Sequence, residues 1–436
     1  MSEEYISKGI ALCVNYVPES IDVNIKYFWE ELALSLRDKG FFLLIVTTAE
    51  LNSEVFQTIK VPYNIIDFNE LYGNDYNRND KVEGHIVSEI MRRYCCDEHV
   101  AKKSLQIGSQ FYKELVAAIS PAVVIGWQST DINTFLLRKC TSDYGIPFWS
   151  GERGLLKNTL MFDLGDNYSS SEVMRSFTID KLYRSYQFTE DLISELQEKY
   201  ILTSPSGKYD SAKLIDNNTF RTQQGIPYNA QVIVLFLHAE PGIASSYKDS
   251  RFLEINGTDR SKLLNKITSI INYCEANGIY LIVQDHPLNK FHPEPIVVQQ
   301  SHYIRQVEEN IHTLLRTADC SLHTLSTIQY DSVFYEKSMG LLSKSMLSMK
   351  NGAYQYDDYF SVEEFMSDLL SERDWPSRLN NLKRKLCFIY EYFLIKNDDE
   401  NRKAEAERVS ELLAFYESPV NNDVIDKIND FLQHWR

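Results

Sequence analysis

The sequence predicts an α/β protein built from two successive units, each with a parallel sheet covered by helices on both faces. The chain has 436 residues, about two to three times the length of a typical domain. Near-continuous apolar strands alternate with helical patterns in the first part, which is typical of buried parallel sheets. A second strand-helix-strand pattern begins near residue 230, after a Ser-, Pro- and Gly-containing stretch at 203–213.

The elements of the first unit follow from hydrophobic periodicity. One helix has an apolar stripe at helical spacing, formed by Ile25, Phe28, Trp29, Leu32 and Leu36, and Gly40 is its predicted stop. The other predicted elements are strands at 9–17, 41–48 and 122–127 and a helix at 101–120. Residues 50–100 are polar and partly Asn-rich, so no element is assigned to them.

The second unit begins with a predicted strand at 232–237. The following helix carries Leu264, Ile267, Ile271 and Cys274 on one stripe, ends at Gly278 and leads into a strand at 279–283. Residues 180–199 and the last 60 residues have helical patterns. The predicted limits are a first domain at 1–200, a linker at 201–230, a second domain at 231–375 and closing helices at 376–436.

Composition excludes several functional classes. The formal charge is −16, from 45 Lys and Arg against 61 Asp and Glu, so a general nucleic-acid partner is not expected. The seven cysteines are scattered and form no Cys-x-x-Cys pair, which indicates reduced thiols in a cytoplasmic protein. The first residues lack the basic region and the long apolar run of a signal peptide or membrane span.

The stretch LIVQDHPLNK contains the first candidate binding residue. His286 and Pro287 stand directly after a predicted buried strand, where strand ends of open α/β sheets commonly line ligand crevices. The proline fixes its own φ and favours an extended backbone at His286. Two interpretations remain open: a histidine that donates to a phosphate, and a strand-ending turn with a hydrogen-bonded histidine.

A second candidate lies in the stretch LHTLSTIQYDSVF. Ser326 and Gln329 match a capping-box pattern, which predicts the start of a helix. Free backbone N–H groups at a helix start, together with the hydroxyls of Ser326 and Thr327, favour an anion site. The alternative is a plain helix cap without a ligand.

The third candidate is the stretch GIPFWSGERGLLKN. Glu152 and Arg153 lie between Gly151 and Gly154, so a tight turn is expected there, near the end of a strand. A carboxylate in that position can reach into a cleft and act as a general base. A surface ion pair between Glu152 and Arg153 is the alternative.

In this order, these motifs resemble bacterial glycosyltransferases of the GT-B fold that use CMP-activated acidic sugars. The stretch GIPFWSGERGLLKNTLMFDLGDN resembles the capsule polysaccharide synthesis family, which includes β-Kdo transferases, and LSTIQYDSVFYEKSMGLLSKS is similar to that family's Ser-Thr helix and following strand. The resemblance implies two Rossmann-like domains facing across a cleft, with a C-terminal helical segment. It also implies that Glu152 is catalytic and that His286, Pro287, Ser326 and Thr327 bind the donor.

The sequence departs from the retaining β-Kdo branch after the first strand of the second unit. That branch places an aspartate there, whereas this chain offers Glu240. Glu240 is therefore the second candidate catalytic residue, and the stereochemical outcome stays open. Three further residues are expected in the cleft: Arg153, Asn167 and His238.

No Asp-x-Asp pair follows a predicted strand, so neither a metal nor another cofactor is expected. Without a metal, the leaving nucleotide would be stabilised by His286, by the helix start and by a cation such as Lys344. The expected substrates are a CMP-activated acidic sugar, with Kdo favoured, and a glycan or glycolipid acceptor.

Two alternatives to this activity stay open: an inverting sialyltransferase-like enzyme, and a non-catalytic glycan-binding subunit of a capsule assembly complex. Residues 378–396 combine basic and aromatic side chains. They are interpreted either as a helix packed in the core, or as an interfacial helix that touches the inner face of the cytoplasmic membrane or other polysaccharide assembly enzymes.

Overall fold

Two β-sheets flanked by helices form the protein. A computed structural model describes residues 9–15, 23–48, 51–62, 64–72, 84–127, 131–164, 177–199, 214–238, 260–287, 289 and 295–416. One sheet has seven strands and the other has six. The predicted α/β class with two mainly parallel sheets, as expected of a GT-B architecture, is confirmed.

The first sheet has the strand order β13-β6-β5-β4-β1-β2-β3. Its strands are β1 Gly9–Asn15, β2 Phe41–Thr47, β3 Gln57–Lys60, β4 Val123–Trp127, β5 Phe148–Arg153, β6 Thr159–Asp163 and β13 Leu394–Lys396. The strands from β5 to β3 run parallel, whereas β6 is antiparallel to both β5 and β13. All residues of β2 and β4 are buried, as their uniformly apolar sequences predict for strands covered on both faces.

The second sheet is parallel throughout, in the order β12-β11-β10-β7-β8-β9. Its strands are β7 Val232–Phe236, β8 Tyr280–Gln284, β9 Ile304–Val307, β10 Cys320–His323, β11 Ser338–Leu341 and β12 Tyr354–Gln355. From β7 the chain first builds outward through β8 and β9, and then returns to the other side of β7 with β10. The strand order therefore reverses between β7 and β10, and a reversal of this kind leaves a crevice at the carboxyl ends of the strands.

Fourteen α-helices lie in the described part of the chain. Those before the second sheet are α1 Val23–Asp38, α2 Asp67–Tyr72, α3 Gly84–Tyr94, α4 Glu98–Ile119, α5 Ile132–Asp143, α6 Phe177–Ser185, α7 Glu190–Gln197 and α8 Asn217–Gln223. The others are α9 Arg260–Asn277, α10 Ile311–Thr317, α11 Ile328–Val333, α12 Val362–Leu370, α13 Trp375–Tyr392 and α14 Arg402–Leu413. None of these helices combines the length and the apolar character that crossing a membrane requires.

The C-terminal segment returns to the first sheet. β13 pairs with β6, and α14 packs with α1 in the apolar cluster of that sheet. The predicted helix at 378–396 ends at Tyr392, because residues 394–396 join a sheet instead. Its apolar side chains, among them Leu386 and Phe388, lie in the core cluster that also contains strands of the second sheet.

The helical pattern at 180–199 forms two helices rather than one. α6 ends at Ser185, and α7 begins after Thr189, whose hydroxyl accepts a hydrogen bond from the backbone N–H of Leu192. Side chains of both helices pack in the cluster of the second sheet. Arg384 of α13 also donates to the carbonyl oxygens of Tyr183 and Tyr186. The domain limits stay predictions, although these contacts attach α6 and α7 to elements of the second unit.

Glu152 and Arg153 lie in strand β5, so the predicted tight turn at these residues is wrong. Glu152 pairs with Met161 and Arg153 with Leu160 in the antiparallel β5–β6 hairpin. The flanking glycines serve close packing instead. A Cβ atom at Gly151 would lie 2.8 Å from a ring carbon of Phe162, and one at Gly154 would lie 2.8 Å from the backbone carbonyl carbon of Thr159.

A methyl group at Gly154 is therefore expected to destabilise the protein. Gly154→Ala should lower the free energy of unfolding by about 1–3 kcal/mol, the usual cost of overpacking. The matched control is Gly84→Ala, because no described residue lies within 4 Å of a Cβ atom at Gly84. Urea unfolding of both variants measures the difference, and equal unfolding midpoints for the two would contradict the packing explanation.

Candidate functional site

Polar residues converge where three neighbouring strands of the second sheet end. His286 follows β8, His238 follows β7 and Thr324 follows β10. Because β7 lies between β8 and β10, and neighbouring strands are about 4.8 Å apart, the outer two strand ends are separated by about 10 Å. The His286 motif and the Ser326 motif, predicted separately from the sequence, therefore lie at one edge of one sheet.

Hydrogen bonds connect the loops after β7 and β10. The hydroxyl oxygen of Thr324 accepts a hydrogen bond from the backbone N–H of His238 at 2.8 Å. The same oxygen lies 2.8 Å from Nδ1 of the His238 ring. One side chain of the β10 loop thus fixes both the backbone and the ring of His238.

The loop after β8 is connected to the same residue. The buried side-chain amide of Asn289 donates to the carbonyl oxygen of His238 at 2.9 Å and to Oδ1 of Asp285 at 2.6 Å. Oδ1 of Asp285 also accepts from the backbone N–H of His286 at 2.7 Å. Asn289 and Asp285 therefore position the His286 loop against the β7 loop.

Burial keeps the His238 ring neutral at pH 7. The residue is 7% exposed, and this burial, together with the electrostatic interaction with His286, lowers the pKa of His238 to about 4. Its Nε2 atom is buried and has no hydrogen-bond partner among the described residues. Asp285 shows the opposite effect, since burial raises the pKa of its carboxyl group against the hydrogen bonds from Asn289 and His286.

His323 is the last residue of β10, and its ring packs in the protein interior next to this edge. Its ring is fully buried and stacks on Phe236, with 5.2 Å between ring centroids. Nε2 lies 2.9 Å from the hydroxyl oxygen of Ser321 and 3.2 Å from that of Ser332. Burial lowers the pKa of His323 to about 3, so this ring is also neutral.

The capping box predicted at Ser326 and Gln329 is wrong. In a capping box the Ser326 hydroxyl would accept from the N–H of Gln329, and the Gln329 side chain would return to the backbone of Ser326. Instead the Ser326 hydroxyl accepts from the N–H of Ile328, at 3.4 Å, and the side-chain oxygen of Gln329 is buried without a partner among the described residues. Ser326 is buried and Thr327 is half-buried on the loop that carries Thr324.

The other predicted donor-binding residues also follow strands of the second sheet. Pro287 is half-buried directly after His286. Lys344 is exposed on the loop after β11, the strand next to β10. Both therefore lie at the same edge of the sheet as His238, and their roles stay predictions.

Glu152 lies on the first sheet, near the carboxyl end of β5 as expected. Its side chain is half-buried, and Oε1 accepts from the backbone N–H of Arg153 at 2.9 Å. Cross-strand partners share a face of a sheet, so Glu152 lies on the same face as Met161, which belongs to the apolar cluster shared with the second sheet. Arg153 is exposed. Glu240 and Asn167 lie outside the described residues.

Three residues of this edge were not identified from the sequence: Thr324, Asn289 and Asp285. Asp285 and Thr324 each follow directly on a strand, so the rule that ligand crevices open at strand ends could have identified them. Asn289 carries no such signal, because its role depends on a contact with His238, 51 residues away. Within the described ranges, no group of three His, Cys, Asp or Glu side chains could hold a metal ion.

Comparisons with known proteins give structural similarity alone. No family model and no curated protein matches the chain. A β-Kdo 2,4 transferase, KpsC of Thermosulfurimonas dismutans, is 14% identical over 61% of this chain and 79% of its own, with a TM-score of 0.43. A UDP-forming α,α-trehalose-phosphate synthase from Burkholderia vietnamiensis is 9% identical over 93% of this chain and 97% of its own, with a TM-score of 0.42. Similarities of this size carry no functional argument.

The lowered pKa values of the two buried histidines predict that the folded protein loses stability in acid. His238 and His323 are neutral in the folded protein, with pKa values of about 4 and about 3, whereas an unfolded histidine has a pKa of about 6.5. Stability should therefore be complete above about pH 6.5 and fall as the pH decreases from 6.5 towards 4, by about 1.4 kcal/mol per pH unit for each histidine.

Urea unfolding between pH 7 and pH 5 tests this dependence. His323→Gln removes one of the two titrations, so its free energy of unfolding should decrease less with acid than that of the wild type. The control is His99→Gln, at an exposed position on α4, which should follow the wild type. Identical pH dependence for His323→Gln and the wild type would show that the buried ring does not cause the effect.

Proposed function

We propose that the protein is a glycosyltransferase that transfers an acidic sugar from a CMP-sugar donor to a glycan or glycolipid acceptor. The proposal rests on one observation above all. The loop of His286 and the loop of Ser326 and Thr327 meet at one sheet edge, connected through Asn289, His238 and Thr324. The edge flanks the point where the strand order reverses, which is where open α/β sheets commonly bind nucleotides.

This edge suits the leaving group of a glycosyl transfer. When the bond between the anomeric carbon and the phosphate oxygen breaks, the nucleotide phosphate gains negative charge. Fixed N–H and O–H donors can stabilise that charge without a metal ion. His286, the hydroxyls of Ser326 and Thr327, and Lys344 are the proposed donors, and Kdo is the sugar that the sequence resemblance favours.

Glu152 is the proposed general base. In an inverting transfer, the acceptor hydroxyl oxygen bonds to the anomeric carbon and its proton passes to the Glu152 carboxylate. CMP leaves with the electron pair of the broken bond. The support for this role is the half-buried position of Glu152 near the end of β5, on the face shared with Met161. A retaining transfer would instead need a nucleophile such as Glu240.

Nucleotide release from a panel of activated sugars tests the proposed activity. The panel contains CMP-Kdo, a CMP-sialic acid, a UDP-sugar and a GDP-sugar, each with and without glycan acceptors. We expect CMP release from a CMP-sugar, with CMP-Kdo the best donor. Release from UDP- or GDP-sugars alone would contradict the donor class, and glycan binding without release from any donor would indicate a non-catalytic subunit.

Removal of the base at Glu152 should stop turnover while leaving donor binding intact. Glu152→Gln keeps the size of the side chain, and loss of a general base typically lowers the rate about 10²- to 10⁴-fold. CMP affinity should be unchanged. The control is Glu54→Gln, an exposed carboxylate before β3, which should turn over normally. Normal turnover of Glu152→Gln would show that this carboxylate is not the base.

Loss of the His286 side chain should weaken binding of the phosphate. His286→Ala removes a hydrogen bond to a charged group, worth about 1.5–3 kcal/mol, or roughly 10- to 150-fold in CMP affinity. Calorimetry with cytidine separates the contributions, because cytidine lacks the anion and its affinity should not change. His99→Ala, at the exposed helical position, is the matched control. Unchanged CMP affinity of His286→Ala would exclude it from the phosphate site.

A further inference from the structure

We infer that His238 binds the phosphate of the nucleotide directly, through a hydrogen carried on Nε2, between His286 and the Ser326–Thr327 loop. This inference deepens the proposed function and rests on the phosphate site described there. The strand order is the first support for this inference. His238 follows β7, which lies between β8, the strand before His286, and β10, the strand before Ser326 and Thr327. His238 therefore lies between the loops that carry the two motifs.

The hydrogen bonds of Thr324 determine which ring nitrogen carries the hydrogen. The Thr324 hydroxyl can donate its one hydrogen to Nδ1 of His238, at 2.8 Å, or to the carbonyl oxygen of Phe236, at 3.3 Å. The Phe236 carbonyl already accepts the backbone N–H of Thr324 at 3.1 Å. With the hydroxyl hydrogen assigned to Nδ1, the nearer acceptor, the hydrogen of the neutral ring lies on Nε2.

A buried N–H group at this position needs an acceptor. Nε2 of His238 has no partner among the described residues, and an unpaired buried donor costs about 1–3 kcal/mol. Among the buried side-chain atoms without a partner in the described ranges, Nε2 of His238 belongs to a residue just beyond a strand end, where open α/β sheets commonly bind ligands. A nitrogen that carries hydrogen cannot ligate a metal ion, which leaves an oxygen acceptor.

The surroundings fix the ring for this role. Thr324 holds its backbone N–H and Nδ1, and Asn289 holds its carbonyl oxygen. Because burial keeps the pKa of His238 at about 4, the ring is a neutral donor over the whole physiological pH range. A donor that is already oriented and desolvated stabilises a phosphate without reorganisation during the reaction.

Two substitutions separate ligand binding from structural support. The side-chain amide of His238→Gln can place an N–H group near the position of Nε2, whereas that of His238→Asn can only replace Nδ1 and its bond to Thr324. We expect His238→Asn to lose about tenfold or more in CMP affinity and His238→Gln to lose much less. Cytidine affinity should stay constant in both variants. Equal losses in both variants, or none in either, would overturn the inference.

The wild-type protein provides a second measurement, for which only one of the two variants has to fold. In a sample with ¹⁵N-labelled histidine, the His238 signal among the nine histidines is assigned by its loss in His238→Gln or His238→Asn. We expect hydrogen on Nε2 in the free protein and a shift of the Nε2 resonance on addition of CMP but not of cytidine. A bare Nε2, or no response to CMP, contradicts the inference.

These experiments measure CMP binding and not turnover, so a failure of the His238 inference can be distinguished from a failure of the proposed transferase activity. If no activated sugar is turned over but Nε2 responds to CMP, the transferase proposal fails and the His238 site stands. If sugar transfer occurs while Nε2 is silent, the transferase proposal stands and the role of His238 is wrong.

Discussion

The hydrogen bonds between Thr324 and His238 are the interaction on which the candidate site depends. They join the segments after β7 and β10 just beyond the last pair of the parallel ladder, Phe236 with His323. Among the described residues, these bonds connect His238 to the loop after β10. Asn289 adds the β8 loop to the same residue. Contacts from residues 86 and 51 positions away along the chain therefore meet at His238.

Two buried histidines of the second sheet illustrate how burial can serve stability or ligand binding. His323 has a ring stacked on Phe236 and two hydroxyl oxygens near Nε2, so its surroundings are those of a packed core residue. Each ring has one nitrogen without a partner in the described part of the chain, Nδ1 in His323 and Nε2 in His238. The two histidines differ in position, because His323 is the last residue of β10, whereas His238 lies beyond the end of β7, where open α/β sheets commonly bind ligands.

Hydrophobic periodicity predicted most of the strands and helices that form the core. In the central strands and in α1, the apolar residues of the pattern are the ones that are buried. The strands β1, β2, β4, β7 and β8 and the stripe of α1 were predicted within a few residues. Local polar patterns were less reliable. Residues 180–199 are interrupted between Ser185 and the Thr189 cap. Ser326 and Gln329 match a capping box, although the Ser326 hydroxyl accepts from the N–H of Ile328 instead. The glycines around Glu152 look like turn residues but make room for Phe162 and Thr159.

The candidate site itself was predicted in part. Strand ends identified His286 and could have identified Thr324, whereas Asn289 acts through a long-range contact that no local pattern reveals. The central claim is that the carboxyl edge at β7, β8 and β10 binds a nucleotide phosphate. A crystal structure with bound CMP tests it most directly. The account predicts a phosphate oxygen within about 3 Å of Nε2 of His238, with His286 and the Ser326–Thr327 loop on either side. A phosphate bound away from this edge, with Nε2 still unpaired or bonded only to water, would contradict it.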